Sequence, residues 1–426
     1  MNINLESNNN RRFDIDHLRV FAFGLLILYH TCMLYVAGWE WHIKSNYQSG
    51  FLANLMLMVQ PWRMALIWMI SGIASYFLLQ KLSIGNFLTS RTIRLLLPLT
   101  FGILFIVPPQ LYFEMKFNGD MELTFWQFWQ IFFDLDNPIF DKYKSGILPH
   151  IDVNHLWYLR ELWAFTLVLL VLQPLLYLPV ISKAVKKYSD TIGQYSVLIV
   201  PLLILFALDY FVFKQLEGDR LRQATGFTFF ITGFLIANQK GWWLAMQKVR
   251  KLALGLAAIS YMLLIYRYQT IYLDESVAIN SQMEMIFSLA SAANKWLWLV
   301  SIFGYAYTYL NKENKVIQYL NPAVYPVYIL HQTLIICIGS LLSPFELGGA
   351  LEGALVLVGT LSICVICYEV IRRLPLLKPF FGLTISRKDM PSVSRVFFKA
   401  KVYRSVGILI VLPIAIPIFG WFFYLY

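Results

Sequence analysis

The chain has 426 residues, of which 58% are hydrophobic, 17% aromatic and only 14% charged, with a formal net charge of +11. Soluble globular proteins carry roughly 45–50% apolar and about 25% charged residues, so a soluble enzyme is excluded. So is a β-barrel, because the apolar residues run continuously over about 20 positions instead of alternating.

The first 17 residues are polar and Asn-rich and read as a cytoplasmic N-terminal segment. The apolar run that follows lacks a small-residue cleavage site, so no signal peptide is expected to be removed. Apolar runs recur near 18–38, 52–79, 92–113, 156–181, 195–213, 223–239, 252–266, 285–310, 322–343, 350–371 and 404–426. Each is long enough, or nearly so, to cross a hydrocarbon core of about 30 Å. The predicted fold class is an all-α integral membrane protein, a polytopic bundle of about 10–11 transmembrane helices. Residues 18–380 form its transmembrane domain, and 381–426 a basic cytoplasmic segment plus an extra C-terminal span. With the N-terminus inside, about 24 of the 35 Lys and Arg fall on the cytoplasmic side, which predicts that orientation and excludes a nucleic-acid partner. The longest loop, 114–154, then lies outside, and its aromatic stretch Phe125–Trp129 is expected to lie flat in the membrane interface. Cys32, Cys337, Cys364 and Cys367 sit inside apolar runs and support neither a disulfide framework nor a metal site.

Ionisable groups inside spans are costly, roughly 2.5–3.5 kcal/mol each on insertion scales, and mark function by default. The first span carries Asp16, Arg19 and His30. Arg19 and His30 are spaced to within about 20° of three full turns and about 16 Å along the axis, which puts both on one helix face. Arg63 follows Pro61-Trp62 in the second span, where a kinked helix bordering a cavity is expected, and Ser71-Gly72 further along allows close backbone approach. Lys81, Arg91 and Arg94 cluster where the third span begins, and such a cluster suits phosphate groups. His155 and Trp157 open the fourth span with Glu161 further in, and Tyr328 and His331 lie in the ninth. Three histidines, His30, His155 and His331, are thus expected in the outer half of the bundle, while His17, His42 and His150 carry no site assignment.

Taken together, Asp16-x-x-Arg19 with His30, Ser71-Gly72, Arg91-x-x-Arg94, His155-Leu-Trp-Tyr-Leu and Tyr328-x-x-His331-Gln332 resemble the membrane acyltransferase-3 family over roughly residues 13–380. The segments Trp41-His42-Ile43-Lys44-Ser45 and Tyr368-Glu369 through Lys378 are further similar to its branch called glucans biosynthesis protein C. The resemblance implies a bacterial inner-membrane enzyme that moves an acyl group from cytoplasmic acyl-CoA, as donor substrate, to a hydroxyl of an extracytoplasmic glycan. No tightly bound cofactor is implied, and the branch points to succinyl as the group moved.

Carried onto this chain, His30 would be the catalytic base, with Arg19, Arg91 and Arg94 near the donor. The CoA phosphates would rest against Arg91, Arg94 and Lys81, and Arg63 could stabilise the oxyanion. His331 joins the catalytic set, while Asp16, Ser71, His155, Trp157, Glu161 and Tyr328 join the substrate-binding set. An interior cation, Arg63 or Lys295, could accommodate a succinyl carboxylate. An acyl-histidine relay is the mechanistic variant. The competing class is a transporter or flippase without covalent chemistry, for which membrane arginines and histidines also serve.

Overall fold

A computed structural model describes residues 11–144, 148–273 and 279–385, together with residue 415. The described chain is helical: α1 (Phe13–Met33), α2 (Gly50–Leu79), α3 (Ile84–Phe101), α4 (Pro108–Phe117), α5 (Phe125–Ile131), α6 (Trp157–Leu176), α7 (Pro179–Thr191), α8 (Ser196–Ala207), α9 (Gly218–Ile236), α10 (Lys240–Arg267), α11 (Ser281–Tyr309), α12 (Lys315–Leu342) and α13 (Gly349–Arg373). Lipid offers the backbone no hydrogen-bond partner, so apolar runs of this length close their bonds internally as helices.

Ten of the eleven apolar runs fall on these helices. The eleventh, 404–426, lies outside the described residues apart from residue 415, as does most of the basic segment before it. Among the described residues, seven helical stretches are long and apolar enough to cross a membrane: Gly50–Leu79, Ile84–Phe117, Asn154–Leu176, Lys240–Tyr272, Ser281–Tyr309, Lys315–Phe345 and Gly349–Arg373. Ser196–Val212 is a shorter apolar helix. α1 and α9 fall short because their first two turns are charged, with Asp14, Asp16 and Arg19 in one and Asp219, Arg220 and Arg222 in the other. α2 runs unbroken through Pro61.

The chain divides into two compact units. The first comprises residues up to Gly24, Asn54–Gln80 and Leu172–Asn321. Its helices α2 and α9 cross at small residues. A Cβ added to Gly72 would lie 1.9 Å from the Phe230 carbonyl oxygen, and one on Gly233 would lie 2.2 Å from that of Met69. The expected close approach at Ser71-Gly72 is therefore real, and only glycine permits it. In the same unit, Lys295 of α11 pairs with Asp209 at 2.8 Å.

The second unit comprises Leu25–Ala53, Lys81–Val171 and the chain from Pro322 onward. Ile27, Leu34, Tyr35, Ile43, Ile335, Ile336 and Val356 form an apolar core there. Its longest loop has a core of its own. Thr124 and Gln127 make a capping box that starts α5, whose Phe128 is buried against Phe132 and Phe140 instead of lying wholly in an interface. Trp126 of the same stretch remains exposed.

Candidate active site

The second unit gathers a network of histidines and carboxamides around α12. Its framework starts at the end of α3, where residues Gly102–Ile106 form a π-helical turn followed by Pro108 and Pro109. The prolines supply no N–H, and Gln110 N–H turns to the Val107 carbonyl, so the Ile106 carbonyl accepts from Thr333 Oγ1 at 2.7 Å instead. Gly102 makes room for Leu156, which a Cβ there would meet at 2.3 Å. This seats the start of α6, and with it His155, against the turn.

Each ring nitrogen of His155 has a partner. Nε2–H donates to the Ile329 carbonyl at 3.0 Å, and Nδ1 accepts from Gln110 Nε2 at 3.1 Å. The Tyr328 hydroxyl donates to the His155 carbonyl at 2.6 Å. His155 is therefore a fixed brace between α6, α4 and α12, one side of which meets His331 edge to face at 5.3 Å.

His331 is fully buried and donates Nδ1–H to the Tyr328 carbonyl at 2.7 Å. A carbonyl can only accept, so neutral His331 keeps its lone pair on Nε2. That nitrogen lies 2.9 Å from His30 Nδ1, and the two rings are parallel to within 5° with centroids 5.1 Å apart. His30 Nδ1 must then be the donor, which places the lone pair of half-buried His30 on Nε2. One backbone carbonyl thus sets two tautomers in succession and leaves His30 configured as a base.

The same network extends to residues that sequence reasoning passed over. Gln332 Nε2 donates to Asn154 Oδ1 at 2.9 Å and to Gln110 Oε1 at 3.1 Å, and Gln110 Nε2 donates to Thr333 Oγ1 at 2.6 Å. His42, given no role from the sequence, bonds through Nδ1 to Glu114 Oε2. Asn154 adopts φ +46°, in the left-handed region that Asn tolerates at a cost of about 1 kcal/mol. Gln110 had a sequence signal, since it interrupts an apolar run. Glu114, counted with the outer loop, had none.

Of the other sequence candidates, Arg91, Arg94 and Lys81 belong to the second unit. The Arg91 guanidinium lies 5.6 Å from the Phe87 ring centroid, Arg94 Nε donates to the Gly382 carbonyl at 3.2 Å, and Lys81 is exposed. Trp157 and fully buried Glu161 lie in the first turns of α6.

Asp16, Arg19, Arg63 and Ser71 belong to the first unit. Asn321 bridges two of them, donating to Asp16 at 2.8 Å and accepting from Arg19 at 3.3 Å. Arg63 is buried, and the Ser71 hydroxyl donates to the Ile67 carbonyl of its own helix at 2.8 Å. Arg19 and His30 share α1, but the division at Gly24 assigns them to different units. Lys295, with its charge compensated by Asp209, is spoken for.

Comparison with known proteins identifies the family of the chain. The sequence model of the acyltransferase domain of the acyltransferase-3 family matches residues 12–369. The chain is 24% identical over 392 residues to glucans biosynthesis protein C of Escherichia coli O139:H28 (strain E24377A / ETEC), covering 87% of this chain and 94% of that protein. The protein of the same name from Escherichia coli strain K12 matches with the same identity and coverage. No solved structure matches the chain.

Proposed function

The chain belongs to the acyltransferase-3 family and is a multi-pass membrane acyltransferase, and from that premise we propose that it moves an acetyl or succinyl group from cytoplasmic acyl-CoA to a glucan hydroxyl outside the bacterial inner membrane. The single observation that carries the chemistry is the 2.9 Å bond from His30 Nδ1 to His331 Nε2, with His331 locked by the Tyr328 carbonyl.

The acceptor hydroxyl attacks the thioester carbonyl while His30 Nε2 takes its proton. The new C–O bond forms, the C–S bond breaks, and the departing thiolate recovers the proton from His30. His331 accepts from Nδ1–H throughout and spreads the charge that develops on His30, the part an orienting group plays beside a catalytic histidine. General-base help of this kind contributes about 10²–10⁴ in rate. Arg91 and Arg94 supply the cationic surface for the CoA phosphates, with Lys81 beside them.

The test is to incubate the purified protein with a soluble glucan and labelled acetyl-CoA or succinyl-CoA. One of the two donors is expected to label the glucan, and its acyl group is then the one transferred. If neither thioester is consumed, the proposal fails.

A further inference from the structure

Trp41, His42 and Glu114 take no part in the transfer step above, yet they meet in the second unit within reach of it. His42 holds Glu114 through Nδ1, and its Nε2 lies 3.1 Å from Asn154 Oδ1 and 3.2 Å from Gln332 Nε2. The His42 and Glu114 side chains keep 18% and 26% exposure, whereas His331 has none. The Trp41 ring stands between the two histidine pairs, 5.6 Å from His42 and 6.3 Å from His30 between centroids. Ile43 and Phe113, the chain neighbours of His42 and Glu114, line a cavity of about 360 Å³ with Lys116 and Ser340. Asn154, held at positive φ, aims its amide at the same cluster.

A carboxylate, an imidazole and a carboxamide beside an indole are complementary to a sugar. The planar polar groups can pair with neighbouring hydroxyls, and the indole face can cover the apolar C–H face of the ring. A few convergent polar groups against an aromatic wall in a partly open site are also what small-ligand recognition requires.

We propose that Trp41, His42, Glu114 and Asn154 form the acceptor subsite: a pyranose unit stacks on Trp41, bonds through its hydroxyls to His42, Glu114 and Asn154, and so presents a further hydroxyl to His30. What happens at His30 rests on the acyl-transfer reading, but the binding does not.

Binding of a soluble glucose oligosaccharide to the full-length protein in detergent, with no acyl donor present, tests the subsite alone. Glu114→Gln and Asn154→Gly are each expected to weaken that binding at least tenfold. Asn154→Gly is the informative variant, because glycine accepts φ +46° and the substitution removes only the amide, so the thermal midpoint should fall by no more than the loss of the single Gln332 bond explains, a few degrees. In transfer assays the same variants are expected to raise the oligosaccharide KM while leaving the acyl-CoA KM as it was.

Binding within twofold of the unaltered protein in Asn154→Gly overturns the subsite, as does failure of the unaltered protein to bind the oligosaccharide. Weakened binding in a protein that transfers nothing from acyl-CoA would leave the subsite standing and remove the transfer reading instead.

Discussion

Lys295 with Asp209 in the first unit, and His30 with His331 in the second, are both polar pairs set among apolar helices, and each answers the cost of leaving water differently. The first pair cancels its charges at 2.8 Å and has nothing further to give. The second is a pair of neutral rings in which every donor direction descends from the Tyr328 carbonyl, so that the last ring in line, His30, carries its lone pair on Nε2. Charge cancellation makes a membrane helix insertable. An ordered series of neutral donors and acceptors makes it reactive.

The contrast breaks most visibly at His30. His30→Ala is expected to lower acyl transfer about 10²–10⁴-fold while the thermal midpoint stays within a few degrees, as measured with labelled thioester and by melting in detergent. Turnover near that of the unaltered protein would show that the histidine pair, like the ion pair, is architecture.

Lys295→Met should do the reverse. Removing one partner strands the Asp209 carboxylate at a cost of about 3 kcal/mol, the lower end for a broken buried pair because both side chains keep some exposure. Lys295→Met combined with Asp209→Leu should recover to within about 1 kcal/mol of the original stability. Acyl transfer per folded molecule should be unchanged in both. A double variant as unstable as the single one would show that the pair does more than cancel charge.

A third kind of polar group, the half-buried Arg91 and exposed Arg94 midway along α3, should respond only to donor. Arg91→Ala combined with Arg94→Ala is expected to raise the apparent KM for acyl-CoA about tenfold, as for loss of charge-assisted phosphate contacts, with kcat little altered. An unchanged KM would place the donor elsewhere.

The helical architecture was legible in the sequence because the bilayer leaves long apolar runs no other way to satisfy their backbones, and ten runs of the eleven coincide with helices. His30, His155 and His331 were legible as a set, since two are imidazoles inside apolar runs and the third, His155, opens one. Their separate roles came only from the family resemblance, not from the residues themselves. What distinguishes the brace His155 from the base His30 is which nitrogen meets which carbonyl, and that depends on a π turn and two prolines more than 40 residues before His155 and over 200 before His331. His42 was hidden for a related reason: it lies in a polar segment after α1, and its carboxylate partner comes from the far end of α4. Helical spacing, which put Arg19 and His30 on one face, says nothing of the long-range contacts that give Arg19 to Asn321 and His30 to His331.

The weakest expected effect concerns a fourth way of keeping a polar group among apolar ones, by stacking it on an aromatic ring. His150 stacks on Phe140 with centroids 3.8 Å apart, and its Nε2–H donates to the Phe132 carbonyl at 2.7 Å. Burial pushes its pKa below the ordinary 6.5, against the pull of the Phe132 carbonyl and of Asp134. Because the folded loop binds this proton less readily than the unfolded chain, the contribution of His150 is complete above about pH 6.5 and is lost as pH falls through the lowered folded value. Amide exchange along α5, corrected for its intrinsic pH dependence, should therefore be faster at pH 5 than at pH 7.5. His150→Phe keeps the stack and removes the titrating nitrogen, so it should abolish that difference. If the variant retained the full pH dependence, the loop would owe it to its carboxylates, among them Asp120, which Lys142 and Tyr143 hold below the usual carboxylate range.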